Sequence, residues 1–415
     1  MDDVLAGHVG ADASGWFREA KYGMFIHFGP YSLIGRESWL GRTWQPFAEY
    51  QRQAGKFKAG RFDACAWARL AKRAGMRYMV LTAKHNDGYC LFRTSTTDFQ
   101  SLNGGPKRDL VGEFVEACRK EGLRVGLYYS VQDWAYTEAL LEGRMTLQEY
   151  RERILFPQVR ELCSQYGTLD VLWFDGGTPS AAKALDSENL LRMAKLLQPA
   201  LLVNDRTGTK GDFGTPEQRI DVLDRLWETC MTLNTSWGFH RYDHKWKSPA
   251  EVIQTLAICA HNGGNFLLNV GPRPDGTIPR MASECLGCVG RWLEHNGQSL
   301  FGTAPHPFNY ADQRISTVRG STAYFHIFPE DWMGRELILP GIGNQVEDVY
   351  FLASQARIRF SIPEHGRLLL HGLPVEPPDP FDTVICVDFV GQPQGVKGKH
   401  HLWDKVIFAN RGANA

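Results

Sequence analysis

The strongest constraint on the fold is a unit that repeats between residues 21 and 204: an apolar run, a polar tip and an amphipathic segment. Short continuous apolar runs bounded by turns are typical of strands that are buried on both faces, as in parallel sheets. The unit therefore predicts alternating strands and helices around a central parallel sheet. The five apolar runs are GMFIH, RYMVLTAKH, RVGLYYS, DVLWFD and ALLVND.

The segments between the runs carry helix signals. Asp63 precedes the amphipathic segment ACAWARLAKRAG, and Asp109 precedes LVGEFVEACRKEG. An aspartate side chain accepts hydrogen bonds from the free amides of a first helical turn, and a glycine often ends a helix. We therefore expect helices that begin after Asp63 and Asp109 and end before Gly75 and Gly122.

The number of runs favours a closed barrel. Five strand candidates before residue 206, with room for three more before residue 300, fit a (β/α)8-type TIM barrel. An open doubly wound sheet is the alternative, but no GxGxxG follows the first strand. After about residue 303, short runs such as STAYFHIF and RLLLHG alternate with turn residues, which is typical of a β-sandwich. We predict an α/β protein with a catalytic barrel over residues 1–303 and a C-terminal β-sandwich domain over residues 304–415.

Charge and hydropathy exclude several classes of partner. The 46 Lys+Arg balance the 46 Asp+Glu, so the chain has no electrostatic attraction to nucleic acid or to an anionic membrane surface. No run of about 18 apolar residues predicts a membrane span. The opening MDD lacks the basic and apolar regions of a secretion signal, which predicts a cytoplasmic protein and leaves secretion by another route open. The sequence does not fix the oligomeric state, and a homo-oligomer is one of the open alternatives.

The sequence predicts neither a metal nor a cofactor. The nine cysteines form an odd count, mostly in apolar runs, and are expected to be reduced. The CLGC pair lacks the second pair that a zinc site needs, and the histidines lack HxxxH spacing.

The candidate site lies where the apolar runs end, because barrels carry their active sites at the carboxyl ends of the strands. Asp175 is the sharpest candidate, since a carboxylate that follows the buried run VLWF and precedes two glycines needs partners or a chemical role. The polar residues at the five ends are His27, His85, Tyr128 or Tyr129, Asp175 and Arg206.

A second carboxylate would complete the equipment for acid/base chemistry. Glu217 in GDFGTPE, Glu228 in LWETC and Glu37 in GRESW are the candidates. With Trp173, Trp39 and the histidines, such a pair predicts cleavage of a glycosidic bond. Retaining chemistry would place the two carboxyl groups about 5–5.5 Å apart.

Several segments, in order from residue 16 to residue 303, resemble the α-L-fucosidases of glycoside hydrolase family 29. They include WFREAKYGMFIHFGPYS, LTAKHNDGYCLF, DVLWFDGG, GDFGTPE, WETCMTLNTSWGF and GGNFLLNVGPRPDG. The resemblance implies a catalytic barrel followed by a β-sandwich. It also implies an exo-acting enzyme that removes terminal α-L-fucose from fucosylated oligosaccharides with retention, through a covalent glycosyl-enzyme.

The resemblance also implies roles for individual residues. Asp175 corresponds to the nucleophile and Glu217 to the acid/base, with Glu228 as the fallback acid. Where relatives have two adjacent histidines, this chain has His85 and then Asn86, which can bond a hydroxyl but cannot carry a proton. The residues expected to bind the sugar are His27, Glu37, Trp39, His85, Asn86, Tyr129, Trp173 and Arg206.

Two other functions remain open from the sequence. One is a retaining hydrolase of another 6-deoxy or galacto-configured sugar, and the other is a non-catalytic carbohydrate-binding protein. The cleaved linkage, the aglycone and the role of the C-terminal domain are also open.

Overall fold

The computed structural model describes residues 14–37, 46–308, 314–363 and 366–396. The chain divides into two compact units. The first holds the described residues up to Pro249 together with Gly264–Leu293, and the second holds Ala250–Gly263 and the described residues from Glu294 onward. None of the described helices combines the length and the apolar character needed to cross a membrane.

The first unit is built on a parallel sheet. Its strands are β1 (Tyr22–Ile26), β2 (Tyr78–Lys84), β3 (Arg124–Ser130), β4 (Val171–Asp175), β5 (Leu202–Val203), β6 (Glu228–Thr232) and β7 (Asn265–Val270). They pair in the order β5-β4-β3-β2-β1-β7-β6, and every pair is parallel. The predicted α/β barrel class is confirmed.

The eighth position of the barrel is taken by residues 213–217, which form isolated bridges instead of a regular strand. Phe213 pairs with Asn204 beyond the end of β5, and Glu217 pairs with Cys230 in β6. The segment thus lies between the two edge strands of the parallel sheet and brings Glu217 to the barrel wall.

The helices follow the strands along the chain. Asp63 accepts a hydrogen bond from the Ala66 amide and Asp109 one from the Gly112 amide, so the two predicted caps are confirmed. The helices are α1 (Gly15–Ala20), α2 (Tyr31–Ile34), α3 (Phe47–Ala54), α4 (Ala64–Arg73), α5 (Leu110–Lys120), α6 (Trp134–Leu141), α7 (Leu147–Tyr150), α8 (Phe156–Gln165), α9 (Ala182–Leu185), α10 (Ser187–Leu197), α11 (Pro249–His261) and α12 (Arg280–Asn296).

The interior of the barrel is filled by large rings, as the layered core of this fold requires. Phe17 from α1 packs with Tyr78 and Phe213, and further along the strands Tyr128 stacks on Trp173. These rings pack the barrel interior below the carboxyl ends of the strands.

The second unit contains two antiparallel sheets, with strand orders β12-β15-β10-β9-β8 and β11-β14-β13. Phe325 and Ile385 of the larger sheet share one apolar core with Leu337 and Leu370 of the smaller one, so the predicted β-sandwich is confirmed. The strands are β8 (Ala304–Pro305), β9 (Ile315–Arg319), β10 (Thr322–Ile327), β11 (Arg335–Pro340), β12 (Val346–Phe351), β13 (Arg359–Ser361), β14 (Arg367–Leu373) and β15 (Thr383–Phe389).

Candidate active site

A cavity of about 190 Å³ opens at the carboxyl ends of the barrel strands. Most of the residues predicted for the site meet there, although they are far apart along the chain. The lining residues are Phe25, His27, His85, Asn86, Tyr128, Trp173, Asp175, Arg206, Glu217, Cys230 and Trp237.

Two glycines after β4 bring Arg206 beside Asp175. Gly176 has a φ of +83°, a conformation that favours glycine. A Cβ on Gly177 would lie 2.4 Å from the carbonyl carbon of Thr207, and the Gly177 amide donates to the Arg206 carbonyl at 3.0 Å. The loop that carries Arg206 can therefore pack against the end of β4 only because these residues lack side chains.

Arg206 joins the two candidate catalytic carboxylates. Its Nη1 lies 2.6 Å from Oε2 of Glu217 and 3.4 Å from Oδ1 of Asp175. Its Nε donates to the Thr215 hydroxyl at 2.9 Å, which fixes the plane of the guanidinium. Because Oδ1 of Asp175 and Oε2 of Glu217 contact the same nitrogen, these two oxygens are at most about 6 Å apart, and both carboxylates face the same cavity.

The structure resolves the choice between the two adjacent tyrosines of β3. The Tyr128 hydroxyl donates to Oδ2 of Asp175 at 2.9 Å. Tyr129 faces the other side of the strand, where its hydroxyl donates to Gln158 at 2.7 Å. The prediction that Tyr129 binds the sugar is therefore wrong, because successive strand residues point to opposite faces.

The two pocket histidines are neutral. Burial lowers the pKa of His27 to about 3, with a further contribution from His85, and burial lowers the pKa of His85 to about 3. Nδ1 of His27 lies 2.7 Å from Oδ1 of Asn269, whose Nδ2 donates to the Trp237 carbonyl. Nδ1 therefore carries the proton, and Nε2 of His27 is left as an acceptor for a sugar hydroxyl.

Glu37 contacts the backbone beside Trp237. Its carboxylate accepts hydrogen bonds from the amides of Trp237 and Gly238, at 2.9 Å and 3.3 Å, and it is not part of the pocket lining. The sugar-binding role of Glu37 therefore stays a prediction, while its side chain anchors the segment that supplies Trp237. Trp39, the other residue predicted from this region, lies outside the described residues.

Glu228 does not reach the pocket. Its side chain is fully buried, and it accepts hydrogen bonds from the Tyr78 hydroxyl and from Nε1 of Trp173, the latter at 2.8 Å. A general acid must come within hydrogen-bond reach of the leaving oxygen. The fallback role of Glu228 is therefore not supported, and Glu217 stays the candidate acid.

Three lining residues were not among the candidates from the sequence: Phe25, Cys230 and Trp237. Tyr128 was one of two open choices, and Phe25 stands two positions before His27, on the same strand face. Trp237 lies in NTSWGF, shortly after β6. Its position just beyond the carboxyl end of a strand is the sequence signal that could have indicated a site residue. In the described part of the chain, no group of three or more His, Cys, Asp or Glu side chains is placed to hold a metal ion.

Comparison with known proteins agrees with this geometry. A family model described as Alpha-L-fucosidase matches residues 8–298. The Alpha-L-fucosidase of Dictyostelium discoideum is 30% identical over 397 residues, which are 84% of this chain and 86% of that protein. The fold and the carboxylate pair define a barrel glycoside hydrolase. Within that class, the chain belongs to the α-L-fucosidase family, glycoside hydrolase family 29.

Solved structures show the same similarity. Alpha-L-fucosidase isoenzyme 1 from Paenibacillus thiaminolyticus superimposes with a TM-score of 0.85 at 33% identity, covering 91% of this chain and 99% of that one. A GH29 alpha-L-fucosidase from Bacteroides thetaiotaomicron superimposes with a TM-score of 0.84 at 26% identity, covering 93% of this chain and 98% of that one. The Bacteroides structure is a trapped covalent intermediate formed with 2-fluoro-fucosyl fluoride.

Proposed function

We propose that this chain is an exo-acting, retaining α-L-fucosidase that releases terminal α-L-fucose from glycans. The observation that carries the proposal is the pair formed by Asp175 and Glu217, which contact the same Arg206 nitrogen at the mouth of a cavity for one sugar ring. The buried rings Phe25 and Trp173 line the cavity and belong to the packed cluster of the barrel, which suits a site that holds the terminal sugar.

The chemistry follows from the positions of the two carboxylates. Asp175 attacks the anomeric carbon while the leaving oxygen takes a proton from Glu217, and a covalent fucosyl-enzyme forms. Glu217 then removes a proton from water, which attacks the anomeric carbon and releases Asp175. Two displacements restore the original configuration. The covalent intermediate of the Bacteroides relative supports this route.

Each carboxylate has surroundings suited to its step. Asp175 accepts hydrogen bonds from Tyr128 and Arg206, which fix the orientation of its carboxylate at the cavity. The Glu217 side chain is 40% exposed, so it can exchange its proton with solvent between the two steps. The neutral imidazoles of His27 and His85 bond the sugar hydroxyls, and the rings of Phe25 and Trp237 offer an apolar surface for the C6 methyl group.

The test is release of the aryl group from an aryl α-L-fucoside and from an aryl β-D-galactoside, followed by proton NMR of the first sugar released. We expect turnover of the fucoside and initial appearance of the α anomer. Faster release from the galactoside would favour a hydrolase of another sugar. Initial appearance of the β anomer would contradict retention.

A further inference from the structure

Glu228 is a buried carboxylate for which the reaction steps above have no use. It is the first residue of β6, and none of its surface is exposed to solvent. Burying a carboxylate is unfavourable unless its oxygens are hydrogen-bonded. Both oxygens are bonded here, Oε2 by the Tyr78 hydroxyl and Oε1 by Nε1 of Trp173. The side chain is thus committed to two donors inside the barrel.

Trp173 forms part of the pocket lining and is held on several sides. Tyr128 stacks on its ring with centroids 5.7 Å apart, and the Arg206 guanidinium lies 4.9 Å from the ring centroid. Phe25 packs against it at 5.0 Å. These contacts fix the plane of the indole but allow it to slide or flip within that plane. The indole N–H is its only polar atom, so the bond to Glu228 is the contact that fixes the ring edge.

We propose that Glu228 is a positioning residue for the fucosidase reaction, acting through the indole of Trp173. By holding Nε1, it sets where the indole forms the pocket wall and where the Arg206 guanidinium rests on the ring. Arg206 in turn contacts both Asp175 and Glu217. The inference rests on the proposed function, because it assigns a role within the same site.

The bond to Trp173 is available in both protonation states of Glu228. Burial raises the pKa of Glu228 to about 7, while the hydrogen bonds from Tyr78 and Trp173 and the charge of Arg206 act in the opposite direction. In the neutral acid, one oxygen accepts from Trp173 while the hydroxyl donates to Tyr78. A glutamine reproduces this pattern, with its carbonyl facing Trp173 and its amide facing Tyr78.

The first test compares Glu228→Gln with Glu228→Leu on an aryl α-L-fucoside. We expect Glu228→Gln to keep kcat/KM within about tenfold of wild type, and Glu228→Leu to lose more than about tenfold, chiefly through a higher KM. A loss of a hundredfold or more in Glu228→Gln, restored by azide, would make Glu228 the proton donor and overturn the proposal. An unchanged KM in Glu228→Leu would also overturn it.

A double-mutant cycle with Trp173→Phe tests whether Glu228 acts through the indole. Phenylalanine lacks the N–H, so adding Glu228→Leu to Trp173→Phe should cause little further loss. Independent, multiplying losses would contradict the proposal. Trp67→Phe is the matched control, since the buried Trp67 indole donates to the Gly276 carbonyl at 2.9 Å, outside the pocket lining. It should lower thermal stability and leave KM unchanged.

A spectroscopic test keeps the proposal falsifiable if Glu228→Leu does not fold. In wild type labelled with ¹⁵N-tryptophan, the Trp173 indole signal, assigned from its loss in Trp173→Phe, should shift with pH as Glu228 titrates. The titratable groups near Glu228 are Tyr78, Arg206 and Cys230. The shift should vanish in Glu228→Gln, and its persistence there would contradict the proposal. This readout needs no turnover, so its failure is distinct from a failure of the proposed activity.

Discussion

The Tyr128 hydroxyl donates a 2.9 Å hydrogen bond to Oδ2 of Asp175, the candidate nucleophile. Tyr128 is itself buried between the rings of His85 and Trp173, so the hydroxyl has a fixed direction. The other oxygen of Asp175 faces Arg206. The carboxylate is therefore oriented at both oxygens before a sugar arrives, which is the preorganisation that a covalent step requires.

Tyr128→Phe tests this orientation. Loss of a hydrogen bond to a charged group corresponds to about 1.5–3 kcal/mol, so we expect kcat/KM for an aryl α-L-fucoside to fall by about 10- to 100-fold. The neighbouring Tyr129→Phe is the matched control, because its hydroxyl bonds to Gln158 away from the pocket. It should lower the melting temperature without a comparable loss of activity. Equal kinetic effects in the two variants would contradict the assignment of Tyr128 to the site.

Asp175→Asn tests the nucleophile. An amide cannot form the glycosyl-enzyme, so we expect a loss of at least about a thousandfold in kcat, with Asp175→Gly behaving alike. Circular dichroism and fucose binding should show that the fold and the pocket remain, since Asp175 lies at the end of β4 and not in its packed part. Near-normal turnover by Asp175→Asn would show that another group attacks the sugar.

Glu217→Gln tests the acid/base through the leaving group. We expect kcat/KM to fall by about 10²–10⁴-fold for a natural fucosylated oligosaccharide, whose alkoxide needs a proton. The loss should be much smaller for an aryl fucoside whose phenol leaves without help, and azide should accelerate breakdown of the fucosyl-enzyme. A loss that is the same for both substrates would mean that Glu217 only pairs with Arg206.

Part of the site could be predicted because this fold carries its site at the carboxyl ends of the barrel strands, and the apolar runs end there in polar residues. That rule located His27, His85, Asp175 and Arg206 at the strand ends, and all four line the cavity. It could not choose between Tyr128 and its neighbour, because the choice depends on the register of β3 against β4. In the structure that register pairs Tyr128 with Trp173.

The remaining differences come from contacts between distant parts of the chain. Glu37 bonds the Trp237 amide 200 residues away, and no local pattern in GRESW indicates such a partner. The fold shows the same limit. The eighth position of the barrel is filled by bridges of residues 213–217, and the segment FGTPE has no apolar run that would predict a strand.

Lys84→Met tests a buried ion pair behind the site. Nζ of Lys84 lies 2.9 Å from Oδ2 of Asp133, and both side chains are at most 1% exposed. Removing the lysine leaves a buried carboxylate without its cation, so we expect the free energy of unfolding to fall by about 3–5 kcal/mol, measured by urea denaturation. Arg280→Met breaks the exposed pair with Glu284 and should change stability by less than about 1 kcal/mol. Similar losses of unfolding free energy in Lys84→Met and Arg280→Met would contradict the expectation that a buried ion pair matters more for stability than an exposed one.

Glu228→Gln should change how stability depends on pH. The pKa of Glu228 is about 7 in the folded protein against 4.5 for an unperturbed side chain, because burial disfavours its charged form. The folded state therefore binds this proton more tightly than the unfolded state does. Its contribution to stability is fully present below pH 4.5 and is lost as the pH rises to 7.

Glutamine does not titrate, so the difference in unfolding free energy between Glu228→Gln and wild type should rise by about 3 kcal/mol in favour of the variant between pH 4.5 and pH 8. Urea denaturation at several pH values measures this difference. The comparison cancels other groups, such as Asp87, whose pKa burial also raises to about 7. Parallel stability curves would show that Glu228 ionises in the folded protein as readily as in water.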